Sequence, residues 1–193
     1  MKTYQVITAA STFPVSLTEA KSHLKVDTSA DDTYITAIIK AATQLSEEYT
    51  NRFFIDTVIE QTCSSFADLQ TLFKSKVSAV ASVKYYDSDN SSQTLDSAIY
   101  DVQLNYEPSQ IQLADGKSFP SITKRNDAVV AKYTVGYGTA SDVPEIIKQA
   151  ILLTIANFYQ NRNSVVVGRI ATELPMNVKW LLDTYKVQIV GWQ

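Results

Sequence analysis

The feature that most constrains this chain is a helical stripe in its first third. Ile35, Ile38, Ile39, Ala42, Leu45 and Tyr49 recur at intervals of three and four, while Thr36, Lys40, Thr43, Gln44, Glu47 and Asn51 line the opposite side. A helix patterned this way must bury one face against other elements. Asp31 and Asp32 stand at its start, where a carboxylate meets the positive end of the helix dipole, worth ~0.3–1 kcal/mol each. Their expected role is capping. Just upstream, Ser16 and Glu19 are spaced as a capping box ahead of Leu17, Ala20 and Leu24, which predicts a shorter helix. Asp27, Thr28 and Ser29 separate the two helices, so a helical hairpin is expected.

The periodicity then changes from helical to alternating. Val58–Phe66 is strand-like; Tyr100, Val102 and Leu104 alternate with Asp101 and Gln103, and Ile111 and Leu113 with Gln110 and Gln112. Turn residues follow at Asp87–Ser92, Asn105–Ser109 and Asp115-Gly116, for which an antiparallel meander is the simplest topology. Val129, Ala131, Tyr133 and Val135 form one more alternating strand, ended by Gly136-Tyr137-Gly138. Beyond Pro144 the helical period returns: Ile146, Ile147, Ala150, Ile151, Leu153, Ile155, Phe158 and Tyr159 wrap most of a helix. That predicts the central helix of a bundle. Val178, Leu181, Leu182 and Tyr185 mark a last short helix after Pro175.

The expected fold class is therefore α+β: a helical bundle core of about four helices, with an antiparallel β domain inserted between helices two and three. Residues 1–55 and 139–187 would supply the two helical parts of the core, 56–138 the inserted β domain, and 188–193 a tail.

Chemistry-bearing patterns are sparse. Cys63 is the only cysteine, so one chain can form neither an internal disulfide nor a cysteine-based zinc site, and a reducing compartment is expected. Met1–Ser11 lacks the pattern of a secretory signal, and Ile146–Phe158 is too short and too polar to span a bilayer; no membrane association is expected. A net charge of -3 argues against a dedicated nucleic-acid binder. His23 is the lone histidine, and without a Gly-x-Ser-x-Gly elbow a small hydrolase using His23, with Cys63 or a carboxylate, is a remote alternative. Asp87-Ser88-Asp89-Asn90 opens like a calcium loop, but Ser92 and Ala98 stand where its glycine and closing glutamate belong, so it reads as a turn. Five glycines, none grouped as a phosphate cradle, leave nucleotide binding unsupported. No catalytic, cofactor or metal residue is expected, and the chain reads as a non-enzyme.

Eleven tyrosines and two tryptophans point instead to surfaces, because these side chains suit interfaces. Ile189, Val190 and Trp192 make an apolar end-piece that either packs at home or docks on a partner.

Taken in order, Pro14-Val15-Ser16-Leu17-Thr18-Glu19-Ala20-Lys21, His23-Leu24-Lys25-Val26-Asp27, Asp31-Asp32 and Tyr49-Thr50-Asn51-Arg52 resemble the head-tail connector family of tailed bacteriophages, also called neck adaptor or head-completion proteins. Tyr133-Thr134-Val135-Gly136-Tyr137-Gly138, Val143-Pro144-Glu145-Ile146-Ile147-Lys148-Gln149-Ala150 and Tyr159-Gln160-Asn161-Arg162 continue the likeness over nearly the whole chain. Asn51, where a glycine is expected, and Asn163, where an acid is expected, depart from it. The resemblance implies a structural virion protein at the neck, made in the host cytoplasm. It would form a homo-oligomeric ring of about twelve copies under the portal protein, complete the DNA-filled head and provide the tail's attachment site. Genomic DNA would pass through without sequence-specific binding, and a further neck or tail-completion protein would attach below. Another neck ring protein, a stopper or a tail terminator, is the nearer alternative. The carboxy-terminal residues Trp180, Leu181, Tyr185, Val187, Ile189, Val190 and Trp192 are the candidate portal-docking set.

Overall fold

The computed structural model describes residues 2–162 and 174–187. It is an α+β arrangement in which, among the described residues, five helices pack beside an antiparallel sheet. The chain starts with strand β1 (Lys2–Thr8) and continues into helices α1 (Leu17–Leu24) and α2 (Asp32–Thr50). Next come β2 (Thr57–Cys63), the single-turn helix α3 (Phe66–Leu69), β3 (Val77–Tyr86), β4 (Ser92–Thr94), β5 (Tyr100–Gln103), β6 (Gln110–Leu113) and β7 (Val129–Val135). Helices α4 (Glu145–Gln160) and α5 (Met176–Asp183) complete it. None of these helices is long and apolar enough to cross a membrane.

Helix α1 forms where its capping box is written. Ser16 Oγ accepts from the amide of Glu19 at 3.2 Å while Glu19 Oε2 accepts from the amide of Ser16 at 2.7 Å. The stripe on α2 is buried as its spacing requires, with Ile35 and Ala42 fully enclosed and Ile38 and Ile39 nearly so. These residues meet Ile147, Ile151 and Ile155 of α4, together with Val15, Ala20 and Phe54, in the helical core. Helix α4 packs against α1, α2 and α5, which is why its apolar residues spread around it.

The sheet corrects the expected meander. Its strand order is β1-β2-β7-β3-β4, so the last strand in sequence is the central one. Tyr133 of β7 lies opposite Ile59 on one side and Val80 on the other. Every second residue of β2 and β7 is buried, and Ile59, Cys63, Val129, Ala131, Tyr133 and Val135 among them join Phe66, Leu69, Leu72 and Ile111 in a second core. The β5–β6 hairpin stands apart as its own two-stranded ribbon, with Tyr100 opposite Leu113. Strand β1 is a further difference: it precedes α1, within a span expected to be helical, and pairs along β2 with Tyr4 opposite Gln61.

The two cores meet where α2 hands over to β2 and β7 hands over to α4. The amide of Tyr137 donates to the carbonyl of Phe54 at 3.1 Å, and the amide of Asp56 to that of Gly138 at 3.0 Å. Gly136 has φ +142°, and a Cβ there would lie 2.7 Å from the backbone nitrogen of Asp56. Only glycine permits this crossing.

Candidate assembly surfaces

The candidate residues are built from what α2 and α4 present at their ends. Asn51 closes α2 in the left-handed conformation, φ +55°, one of the few places a non-glycine residue accepts. That turn sends Arg52 inward, where it is 4% exposed. Its guanidinium grips both carboxylate oxygens of Glu107, with Nη1 donating to Oε1 at 2.9 Å, and its Nε donates to the carbonyl of Tyr185. One side chain therefore joins the end of α2, the tip of the β5–β6 hairpin and the segment after α5. The fork of donors suits a carboxylate held in two-point contact. It holds Glu107 below the usual carboxylate range, chiefly through these hydrogen bonds.

A second clamp joins the start of α2 to the end of α4, and it corrects the capping role expected for Asp31. Asp31 is the residue preceding α2 but its side chain makes no cap bond. Its Oδ2 instead accepts from Tyr159 Oη at 2.6 Å and from Arg162 Nη2 at 2.8 Å. These bonds, first Tyr159 and then Arg162, hold the Asp31 carboxyl below the usual carboxylate range. The Arg162 guanidinium lies 4.6 Å from the ring centres of both Tyr34 and Tyr159. Asp32 is likewise drawn to a tertiary partner, Lys21 Nζ, at 2.6 Å. A chain-long charge pair wins here over local capping because it satisfies two helix ends at once.

The docking set divides sharply. Trp180 is 71% exposed and, with Met176 one turn earlier at 63%, makes an apolar face on α5 opposite the enclosed Val178 and Leu182. Leu181 packs beside Val178 and Leu182 in a small cluster with Ala150, Leu45, Tyr49 and Leu153. Tyr185 packs on the helical core, and Val187 is buried, its amide donating to the carbonyl of Thr50 at 3.0 Å. Val187 thus serves the fold of its own chain. Ile189, Val190 and Trp192 lie outside the described residues. Met176 escaped the sequence reading because one methionine carries no periodicity of its own; its place four residues before Trp180 was the available signal.

His23 and Cys63 are not brought together. Cys63 is fully buried in the sheet's core, where burial pushes its thiol up, whereas His23 is exposed on α1. Asp87 Oδ1 accepts from the amides of Asp89 and Ser91, so the calcium-like segment is a self-bonded turn. Among the described residues no group of His, Cys, Asp or Glu is placed to hold a metal ion.

A helical core clamped end to end, a β5–β6 hairpin tied to it through Arg52 and an exposed apolar helix face make up this α+β fold. The chain belongs to the phage gp6-like head-tail connector protein family, whose model matches residues 14–115. Among solved structures it is similar to a chain from the neck of an empty gene transfer agent particle computed with C6 symmetry, with a TM-score of 0.77, 19% identity and 98% of each chain covered. A chain from the virion of a native gene transfer agent particle gives 0.77, 22% and 98% of each chain. One from the neck of the native particle computed with C12 symmetry gives 0.75, 19% and 98% of each. These likenesses show a shared fold over nearly the entire length. No curated protein sequence matches.

Proposed function

We propose that this chain is a non-enzymatic adaptor of the virion neck, closing into a ring of about twelve copies under the portal. The observation that carries this is membership of the head-tail connector family, joined to the full-length fold likeness to neck chains from particles treated with sixfold and twelvefold symmetry. A ring of identical chains needs two different faces per subunit, one for each neighbour. The proposed division of labour gives the helical core to ring contacts, the inserted β unit of residues 56–138 to a neighbour or the tail side, and the carboxy-terminal end to the portal. The net charge of -3 suits a channel through which DNA slides without being held by counterion-releasing contacts.

Within the docking set the weight falls on Trp180, because Trp is a frequent hot spot and this one is 71% exposed among the described residues. The test is capture of the protein by assembled portal. Trp180→Glu, at a position 71% exposed, should leave the fold intact and abolish capture. Unchanged capture by that variant and by a chain ending at Leu181 would sink the docking role.

A further inference from the structure

We propose that the groove between β1, the end of α2 and the segment around Val187 receives a carboxylate side chain of a neighbouring polypeptide, seated on Lys74 Nζ. The site goes beyond the neck reading and does not depend on it. Lys74 lines this groove yet is only 4% exposed. Among the described residues its ammonium donates no hydrogen bond, and its ion contact to Glu48 Oε1, at 3.7 Å, is longer than one. Glu48 itself is 76% exposed and faces water. The stem of Lys74 is enclosed while its head opens on the groove, where it meets only the long contact to Glu48 and the field of the neighbouring Glu47, so an incoming anion can complete its coordination.

The ammonium is also held in place. Lys74 has φ +55°, and the preceding amide, that of Phe73, donates to Gln61 Oε1 at 2.8 Å and to Tyr133 Oη at 2.9 Å. The amide of Leu72 is bonded to the carbonyl of Ser109 at 3.0 Å. The loop is thus pinned to the sheet's interior, and little order is lost when a ligand arrives. Aromatic rings flank the ammonium, that of Phe53 at 5.4 Å and that of Tyr4 at 5.9 Å from their centres. Across the groove a second cation, Lys186 Nζ, lies 4.5 Å from the ring centre of Tyr49.

The chemistry selects the ligand. Two lysines favour an anion, aromatic walls favour an apolar group beside it, and Glu48 at the rim disfavours a doubly charged phosphate relative to a single carboxylate. Tyr4 belongs to β1, which is the edge of the sheet. Its outer side has no strand among the described residues, so a polypeptide arriving extended finds backbone partners beside the groove.

The test follows the lysine ε-methylene NMR signals of the whole chain during titration with N-acetylphenylalanine at neutral pH. Its neutral amide and phenyl phosphate serve as comparisons. Saturable shifts at Lys74 are expected in the millimolar range, with the neutral amide binding at least about tenfold more weakly. Lys74→Met should abolish binding. Glu48→Gln should strengthen it by removing the competing carboxylate, and because that residue is exposed the variant remains informative even if Lys74→Met fails to fold. Equal binding of the amide, weaker binding in Glu48→Gln, tighter binding of phenyl phosphate, or no shift at all would each overturn the assignment. So would binding that appears only after deletion of residues 188–193, which would give the groove to this chain's own segment.

Discussion

Replacing Arg52 should loosen the β5–β6 hairpin and the segment after α5 from the end of α2. Arg52→Ala removes a two-point ion pair to Glu107 and the bond to the Tyr185 carbonyl. Breaking a buried ion pair by deleting one partner costs about 3–5 kcal/mol when the other charge is stranded. Glu107 is not stranded, since its side chain is 47% exposed and can rehydrate, while the Tyr185 carbonyl loses a charged donor. The expected loss therefore falls below that range, about 2 kcal/mol, or roughly 4–8 °C in melting temperature for a chain of this size. Arg52→Lys keeps the charge but not the planar fork and should lose about 1–2 kcal/mol. Urea unfolding at pH 7 measures both. The Arg52–Glu107 double-mutant cycle should return a coupling of at least about 1 kcal/mol. Losses below about 0.5 kcal/mol for Arg52→Ala, or no coupling to Glu107, would refute the idea that this side chain locks the units together. Because Glu107 is held below its ordinary range, its share of the stability is present above the unfolded carboxylate pKa and disappears as pH falls through the lower, folded value.

Glu47 works in the opposite direction: burial raises its carboxyl from 4.5 to about 7, so stability is highest with it protonated and declines as pH rises from about 4.5 to about 7. Glu47→Gln, which still accepts from the Phe54 amide, should gain roughly 1–3 kcal/mol at pH 8 and almost nothing at pH 4.5 in paired urea titrations. Gly136→Ala should lose about 2 kcal/mol or more of unfolding free energy, because φ +142° and the 2.7 Å approach to Asp56 both exclude a methyl group. Ile39→Ala, in the fully packed stripe of α2, should cost about 2–5 kcal/mol, against less than about 0.5 for Lys40→Ala on the exposed face.

Local rules made much of this fold legible. The Ser16–Glu19 box, the α2 stripe and the alternation of β7 each depend on neighbours within one or two turns, and the structure contains all of them. What escaped depends on distant pairing. Strand β1 is mostly exposed and alternates only over its first four residues; it is a strand because it pairs with β2, Val6 lying opposite Ile59, far along the chain. The central place of β7 is a long-range outcome of the same kind, and no turn signal encodes it. Asp31 looked like a cap because Tyr159 and Arg162 lie more than a hundred residues away in sequence. At the candidate site, Trp180 and Val187 look equally apolar in the sequence, yet one faces water and the other lies under the end of α2. The Arg52–Glu107 pair and the enclosed Lys74 likewise join segments whose proximity only the folded chain creates.

The central claim is that this chain works as a ring at the head-tail junction. A cryo-EM map of the neck of intact particles, reconstructed without imposed symmetry, tests it most directly. The account predicts a closed ring of about twelve copies of this fold beneath the portal, surrounding the DNA path, with the Trp180 face of α5 against portal density. A neck without this chain, or one holding single copies that make no contact with each other, would contradict it.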